Sequence, residues 1–219
     1  VRHIIIRIGV KTNEVLVTLV LNDNNLKKEK ELIKFLTEKH KNVKTIAKNF
    51  NTKNTNVILG DKTEVIYGDG YIYDILGDYK FKISPLSFYQ VNPVQTEVLY
   101  NKALEYAKLT GNETILDLYC GIGTIGIFAS KKAKKVVGVE AVPEAIADAK
   151  VNAERNNITN CEFFVGDMKN VFNDEFIAQH GHPDVIITDP PRDGMHKDVV
   201  EQILKIAPKR VVYVSCNSA

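Results

Sequence analysis

Four residues between positions 117 and 140 have the types and spacing to bind a nucleoside. Gly121 and Gly123 follow an apolar run, 114–119, and lead into a helix-like segment, 123–132. Because they lack a Cβ atom, they let the backbone turn sharply and approach a ligand. Glu140 ends a second apolar run, at the separation where a carboxylate meets ribose hydroxyls in nucleotide-binding folds. An ordinary tight turn between a strand and a helix is the alternative, because Gly-x-Gly alone is a weak signal.

Asp117, inside the first apolar run, narrows the choice of ligand. A carboxylate repels phosphate, and the lysine of a phosphate-binding P-loop does not follow the glycines. A ligand with a ribose, a positive charge and no phosphate suits the two acids and the glycines together. S-adenosylmethionine has that character, and we predict it as the cofactor.

Polar residues also follow the later apolar runs, at the sheet edge where ligands of parallel sheets bind. Asp167 suits either an adenine amino group or the cap of the next helix. Asp189, Pro190 and Arg192 belong to an Asp-Pro-Pro-Arg segment. Its two prolines hold an extended path without N–H donors, which would shape a slot for a planar group. A rigid loop with a surface arginine is the alternative.

Cys216, at the end of the last apolar run, is the candidate nucleophile. An isolated cysteine is usually a small buried hydrophobe, but Cys216 shares its predicted sheet edge with Asp189. Cys120 and Cys161 are interpreted as packing residues. The spacing of the three cysteines matches neither a disulfide framework nor a zinc pattern, so we expect no metal site.

Composition indicates a globular protein whose charge is unevenly distributed. Apolar residues make up 44% of the chain and charged residues 26%, both ordinary values. We expect a cytoplasmic protein, since no apolar run could cross a bilayer and no signal peptide is visible. The net charge is +2, yet residues 1–60 contain 12 Lys+Arg and 5 Asp+Glu. This excess of basic residues has two equally good explanations: the first part of the chain binds a polyanion, or it carries a solvated, lysine-rich helix face.

Two architectures follow one another along the chain. Residues 1–85 predict an α+β domain with a mostly antiparallel sheet, because short β-branched runs flank one amphipathic helix over 26–40. Residues 86–219 alternate helices with strands, which predicts an α/β, doubly wound parallel sheet. The predicted strands are 114–119, 135–140, 161–165, 184–189 and 210–215, and the predicted helices are 93–109, 123–132, 143–156, 168–176 and 197–206. The chain starts at Val1, so we expect a segment of a longer protein.

Five motifs in order resemble the RNA (uracil-5-)-methyltransferase family, and most closely its bacterial 23S ribosomal RNA enzymes. They are a Phe-x-Gln-x-Asn-x-x-Gln segment over 88–95, Asp-Leu-Tyr-Cys-Gly-Ile-Gly over 117–123, Gly-Val-Glu over 138–140, Asp-Pro-Pro-Arg over 189–192 and Val-Ser-Cys-Asn over 214–217. The resemblance implies a Rossmann-like class I methyltransferase fold. It also implies methyl transfer from S-adenosylmethionine to carbon 5 of a uridine.

The resemblance implies a role for several residues of this chain. Cys216 matches the nucleophile, whose thiolate adds to carbon 6 of the uracil. Asp189, Pro190 and Arg192 are predicted to meet the substrate base. The residues predicted to bind the cofactor, from the motifs and from the strand ends together, are Gln90, Asp117, Tyr119, Gly121, Gly123, Glu140, Asp167 and Asp189.

This sequence departs from the family pattern in ways that leave alternatives open. The family's catalytic glutamate and its last strands fall beyond Ala219, so we expect the 219-residue chain itself to be slow or inactive, or to bind cofactor and RNA without turnover. An iron–sulfur cluster and an RNA-binding barrel, which family members often carry, would precede Val1. We expect a monomer that acts on ribosomal RNA, with transfer RNA as the alternative.

Overall fold

The computed structural model describes residues 1–23, 25–54, 56–171 and 173–215. The chain divides into two compact units, Val1–Ser87 and Phe88–Ala219. Each unit is built around its own sheet. In the described residues, no helix is long and apolar enough to cross a membrane.

The described part of the first unit contains a four-stranded sheet, one helix and a separate two-stranded hairpin. The strand order is β1-β2-β3-β4, and β2 lies in its centre with every side chain buried. A central strand covered on both faces accounts for the continuous apolar run Val-Leu-Val-Thr-Leu-Val-Leu. The elements are β1 His3–Ile8, β2 Val15–Leu21, α1 Glu29–Lys39, β3 Val43–Phe50, β4 Lys62–Tyr67, β5 Ile72–Leu76 and β6 Tyr79–Ile83.

The helix α1 explains the one parallel pair of this mostly antiparallel sheet. β2 and β3 run parallel, whereas β1–β2 and β3–β4 are antiparallel. Parallel neighbours need a crossover connection, and α1 supplies it. Its apolar side chains, among them Leu32, Ile33 and Leu36, pack against the buried residues of β2 and β3. The helix is shorter than the predicted 26–40, since it starts at Glu29 and ends at Lys39.

The second unit is an α/β fold with a five-stranded, wholly parallel sheet, which confirms the predicted fold class. Its strand order is β11-β10-β7-β8-β9. Strands β8 and β9 are added on one side of β7, and β10 and β11 on the other, so the strand order reverses between β7 and β10. In open sheets of this kind, the ligand crevice lies where the strand order reverses. The strands are β7 Thr114–Leu118, β8 Lys135–Glu140, β9 Cys161–Val165, β10 Val185–Thr188 and β11 Arg210–Tyr213.

Helices cover both faces of this sheet. Leu116, Val137 and Ile186 point to one face and pack against side chains of α5, α6 and α7. On the opposite face, α3 and α4 contact β7, β8 and β9. The helices are α2 Pro93–Ala107, α3 Thr124–Ala129 with a 3₁₀ turn Ser130–Lys132, α4 Pro143–Arg155, α5 Met168–Val171, α6 Asp174–His180 and α7 Lys197–Ile206.

The predicted helix 168–176 is wrong, because the structure has two short helices there. Asn173 lies between them with extended backbone, and its side chain accepts a hydrogen bond from the Phe176 N–H. An asparagine that caps a new helix gives the chain a local alternative to continuing the old one.

Candidate functional site

The glycine turn after β7 is built from three residues with left-handed backbone. Tyr119, Gly121 and Gly123 have φ angles of 62°, 54° and 80°. For a tyrosine this conformation costs about 1–3 kcal/mol, and such strain is concentrated at functional sites. A Cβ on Gly123 would lie 2.8 Å from the Phe163 ring, whereas a Cβ on Gly121 would meet open space. The turn therefore leaves its Gly121 side open for a ligand.

Asp117 supports this turn from inside the protein. Its carboxyl is completely buried, and one oxygen accepts a 2.9 Å hydrogen bond from the Gly126 N–H. The other oxygen, Oδ1, has no hydrogen-bond partner among the described residues. Burial raises the pKa of Asp117 to about 8, against the effect of the Gly126 hydrogen bond and with help from the nearby carboxylates of Asp189 and Glu140.

Glu140 connects two backbone segments at the end of β8. One carboxylate oxygen accepts a hydrogen bond of 3.1 Å from the Gly121 N–H, and the other accepts one of 3.0 Å from the Val142 N–H. A carboxylate has about four acceptor positions, so each oxygen can also accept a hydroxyl. Glu140 thus joins the glycine turn to the start of α4 and still presents its carboxylate to a ligand.

A cavity of about 550 Å³ lies at the carboxyl ends of these strands. Pockets for small ligands have volumes of roughly 300–1,000 Å³. Seven residues predicted from the sequence line it together: Gln90, Tyr119, Gly121, Glu140, Asp189, Pro190 and Arg192. Three further described residues line it: Phe88, Val91 and Pro191.

The electrostatics of the cavity favour a cationic ligand. Glu140 and Asp189 both line it. Burial raises the pKa of Asp189 above its ordinary value, because removing a carboxylate from water disfavours its charge. A positive ligand group beside these two carboxylates would offset that cost. Among the described lining residues, the one cationic side chain is Arg192, which is exposed.

Tyr100 is a buried residue near the site that the sequence analysis missed. Its hydroxyl lies 2.9 Å from Thr124 Oγ1 and also hydrogen bonds with the Gln90 side chain. Burial raises its pKa, so it stays a neutral phenol. The signal was available, because Thr96, Tyr100 and Ala103 lie on the buried face of α2 at helical spacing. That pattern shows burial but not the contact with Gln90.

Three of the described residues that were predicted for the site do not line the cavity. Asp117 and Gly123 hold the turn instead, as described above. Asp167 is exposed, and its carboxylate accepts a hydrogen bond of 3.2 Å from the Lys169 N–H at the start of α5. Asp167 was interpreted either as a contact for adenine or as a helix cap, and this hydrogen bond is that of a helix cap. Cys216 lies outside the described residues.

The two described cysteines are poor nucleophiles. Burial raises the pKa of Cys120 well above its ordinary value, and it raises that of Cys161 to about 12. The thiolate is the reactive form of a cysteine. Neither side chain would therefore supply a thiolate near neutral pH, in agreement with their interpretation as packing residues.

Comparison with known proteins gives consistent matches over almost the whole chain. The model of a family described as tRNA (uracil-5-)-methyltransferase matches residues 8–219. An uncharacterized RNA methyltransferase of Bacillus cereus is 52% identical over 218 residues, which are 100% of this chain and 47% of that protein. One of Oceanobacillus iheyensis is 50% identical over 216 residues, which are 99% of this chain and 47% of that protein.

A solved structure matches both units of the chain in sequence and fold. The crystal structure of Pyrococcus abyssi tRNA (uracil-54, C5)-methyltransferase, in complex with S-adenosyl-L-homocysteine, has a TM-score of 0.76 and 31% sequence identity. The match covers 98% of this chain and 50% of that one. The chain thus spans about half the length of the relatives it matches.

Proposed function

Since this chain belongs to the tRNA (uracil-5-)-methyltransferase family, we propose that the full-length protein transfers a methyl group from S-adenosylmethionine to carbon 5 of a uridine in RNA. The observation that carries the proposal is the cavity beside β7, β8 and β10. It collects residues from the Gln90 segment, the glycine turn, Glu140 and the Asp189 segment. These are four of the five motifs on which the family resemblance rests.

The cavity residues fit S-adenosylmethionine in shape and charge. Glu140 has acceptor positions left for ribose hydroxyls. Gly121 lets the ligand approach the backbone, because no side chain fills the space in front of it. Asp189 and Glu140 are the carboxylates that would accompany the positive charge. The cofactor, when bound, supplies a methyl group on a positively charged sulfur.

The Asp-Pro-Pro-Arg segment would hold the uracil. Pro190 and Pro191 lack N–H donors and have fixed φ angles, so they form a rigid apolar wall. Arg192 at the rim can bind a phosphate or the edge of a base. The target base must leave its stack to enter such a slot, and this costs a few kcal/mol.

Cys216 would activate the uracil ring. Carbon 5 is too electron-poor to attack a methyl sulfonium unaided. Addition of the Cys216 thiolate to carbon 6 places electron density on carbon 5, which then takes the methyl group. A base removes the proton from carbon 5, the bond between carbon 6 and sulfur breaks, and the thiolate returns. Cys120 and Cys161 are unsuited to this role because burial raises their pKa values.

Ribosomal RNA is the substrate that we propose, with transfer RNA as the alternative. The motif resemblance favours ribosomal RNA, whereas the Pyrococcus abyssi neighbour is a transfer RNA methyltransferase. The first unit would contact the RNA, since residues 1–60 hold 12 Lys+Arg and 5 Asp+Glu. Mapping of 5-methyluridine in both RNA classes, after incubation with the full-length protein and S-adenosylmethionine, separates the two.

A cysteine comparison tests the mechanism. We expect Cys216→Ser to abolish methylation by the full-length protein while cofactor binding stays nearly intact. The matched control is Cys161→Ser, which changes a half-buried thiol and should keep activity. RNA containing 5-fluorouridine should trap a covalent adduct with the wild type, because fluorine cannot leave as a proton does. An adduct that forms equally well with Cys216→Ala would overturn the mechanism.

A further inference from the structure

The β5–β6 hairpin of the first unit has one apolar face and one face of tyrosines and lysines. Its inner side chains are almost fully buried, with Leu76 and Phe81 at 0% exposure. Its outer side chains alternate with these along both strands and stay partly or fully exposed. We define the outer face by four of them: Tyr71, Tyr73, Lys80 and Lys82.

Aromatic and cationic groups are interleaved on this outer face. The Lys80 ammonium lies 4.3 Å from the centre of the Tyr73 ring, and that of Lys82 lies 4.9 Å from the Tyr71 ring. The two rings meet edge to face, with 5.2 Å between their centres. Cation–π attraction holds the lysines beside the rings. The face therefore presents two aromatic groups and two positive charges within a few ångströms.

Hydrogen bonds fix the backbone that carries the tyrosines. The Tyr71 carbonyl accepts a 2.9 Å hydrogen bond from Thr45 Oγ1. The Tyr73 N–H donates to the Glu14 carboxylate over 2.7 Å. Asp74, the next residue along the strand, is fully buried, and its carboxylate accepts a 2.9 Å hydrogen bond from the Lys11 N–H. The tyrosines thus lie on a rigid strand, so little order would have to be created when a ligand binds.

We propose that the outer face of the β5–β6 hairpin binds a single-stranded segment of the substrate RNA. Unstacked bases would stack on Tyr71 and Tyr73, and Lys80 and Lys82 would contact the neighbouring phosphates. Charge complementarity selects a polyanion, and the aromatic rings select one whose bases are accessible. A duplex hides its bases and offers phosphates alone. The inference rests on the proposed function, which makes RNA the partner of this protein.

The lysines of α1 and of the residues just before it lack this combination of groups. Lys28 lies 3.1 Å from Glu31, and Lys34 lies 4.0 Å from Glu38. Glutamates interleaved with lysines repel phosphate and reduce the local positive potential. Phe35 on α1 is 56% exposed and has Lys39 beside its ring, but it is a single ring. The hairpin, with two rings beside two lysines, therefore offers more stacking surface for bases than α1 does.

The test measures binding of a short, fluorescently labelled oligouridine to the full-length protein by anisotropy. We expect Tyr73→Ala to weaken binding roughly tenfold, the usual effect of losing one stacked base. Tyr73→Phe keeps the ring and should bind like the wild type. The double variant Lys80→Gln/Lys82→Gln should reduce the slope of log affinity against log salt by about 1.4, since each phosphate contact on a single strand contributes about 0.7.

A matched control removes the same chemistry elsewhere. Lys102 lies 5.2 Å from the Tyr106 ring on α2, so Tyr106→Ala/Lys102→Gln deletes one lysine and one tyrosine of the second unit. We expect this variant to keep wild-type affinity for oligouridine. A self-complementary duplex RNA should bind the wild type more weakly than oligouridine, and Tyr73→Ala should remove that preference.

Two outcomes separate this inference from the proposed function. If the hairpin variants bind oligouridine as tightly as the wild type, and their melting temperatures are unchanged, the inference is overturned even when uridine methylation is active. If those variants lose affinity but the wild type methylates no RNA, the inference stands and the proposed function fails.

Discussion

Asp117 and Glu140 are acids on neighbouring parallel strands, yet they serve different parts of the molecule. Both accept a hydrogen bond from a glycine N–H of the segment 121–126. Asp117 is the penultimate residue of β7 and is fully buried, while Glu140 is the last residue of β8 and lines the cavity. Asp117 pairs with Gly138 across the two strands, so Glu140 lies two residues further toward the carboxyl edge of the sheet. That difference in position separates a support of the glycine turn from a ligand-facing group.

The largest expected effect is on the pH dependence of folding, through Asp117. Its folded-state pKa of about 8 lies above the ordinary value, so the folded state keeps a proton that the unfolded state has lost. The contribution to stability is complete below the unfolded pKa near 4 and is lost as pH rises to about 8. Asp117→Asn keeps an acceptor for Gly126 and removes this loss. The variant should gain up to about 1.4 kcal/mol per pH unit relative to wild type over that window.

Urea unfolding at about pH 5, 6.5 and 8 measures the difference in unfolding free energy between Asp117→Asn and wild type across this window. Asp174→Asn is the control, because the contact with Lys205 lowers the pKa of the exposed Asp174. Its contribution is present above the unfolded pKa of about 4 and is lost only on acidification below it, so Asp174→Asn and wild type should stay parallel between about pH 5 and pH 8. Curves of Asp117→Asn and wild type that stay parallel from pH 5 to pH 8 would show that Asp117 is ionised in the folded protein.

A comparison of two glycines should give the next largest effect. Gly123→Ala places a Cβ 2.8 Å from Phe163 in a backbone conformation with φ of 80°, and we expect it to destabilise the protein by about 2–3 kcal/mol. Gly121→Ala has a similar strain but open space around its Cβ, so it should cost about 1 kcal/mol of stability and weaken cofactor binding. Thermal unfolding measures the loss of stability, and titration calorimetry measures the change in cofactor binding. Equal losses of stability would remove the distinction between the two sides of the turn.

Glu140→Ala tests the ligand-facing side. We expect it to weaken S-adenosylmethionine binding by about 1–3 kcal/mol, the cost of losing a charge-assisted hydrogen bond to the ribose. Titration calorimetry on the wild type, Glu140→Ala and Glu140→Gln measures this. The glutamine variant should lose less, because its carbonyl oxygen still accepts one hydrogen bond. Unchanged affinity in both variants would remove Glu140 from the cofactor site.

Most of the strands and long helices followed from the sequence, because periodicity and cap residues act locally. Strands β8 and β9 and helix α7 have the predicted bounds. The break at Asn173 was missed, since an asparagine inside a helical pattern reads equally as a solvent-facing side chain. The parallel β2–β3 pair was not predicted individually, because pairing depends on how α1 crosses the sheet.

The residues that line the site could be predicted from the sequence, but the burial and contacts of the residues behind them could not. Residue types at the strand ends identified Tyr119, Glu140 and Asp189, and the family resemblance added Gln90; all four line the cavity. They could not show that Asp117 is buried, or that Tyr100 hydrogen bonds with Gln90. Both facts depend on which way a side chain points from its strand or helix, and a sequence motif does not contain that direction.

The smallest expected effect concerns four lysines in α1 and just before it, which could either contact RNA or only face solvent. Two of them already have glutamate partners on the helix surface. Neutralising four lysines should therefore weaken RNA binding only slightly, and the salt slope should fall by about 1 or less, against about 0.7 for each fully engaged lysine on a single strand. Anisotropy titrations at several salt concentrations measure the slope. A fall as large as four full contacts would make α1 a principal RNA surface and would place the hairpin second. The residues replaced by glutamine are Lys27, Lys28, Lys30 and Lys34.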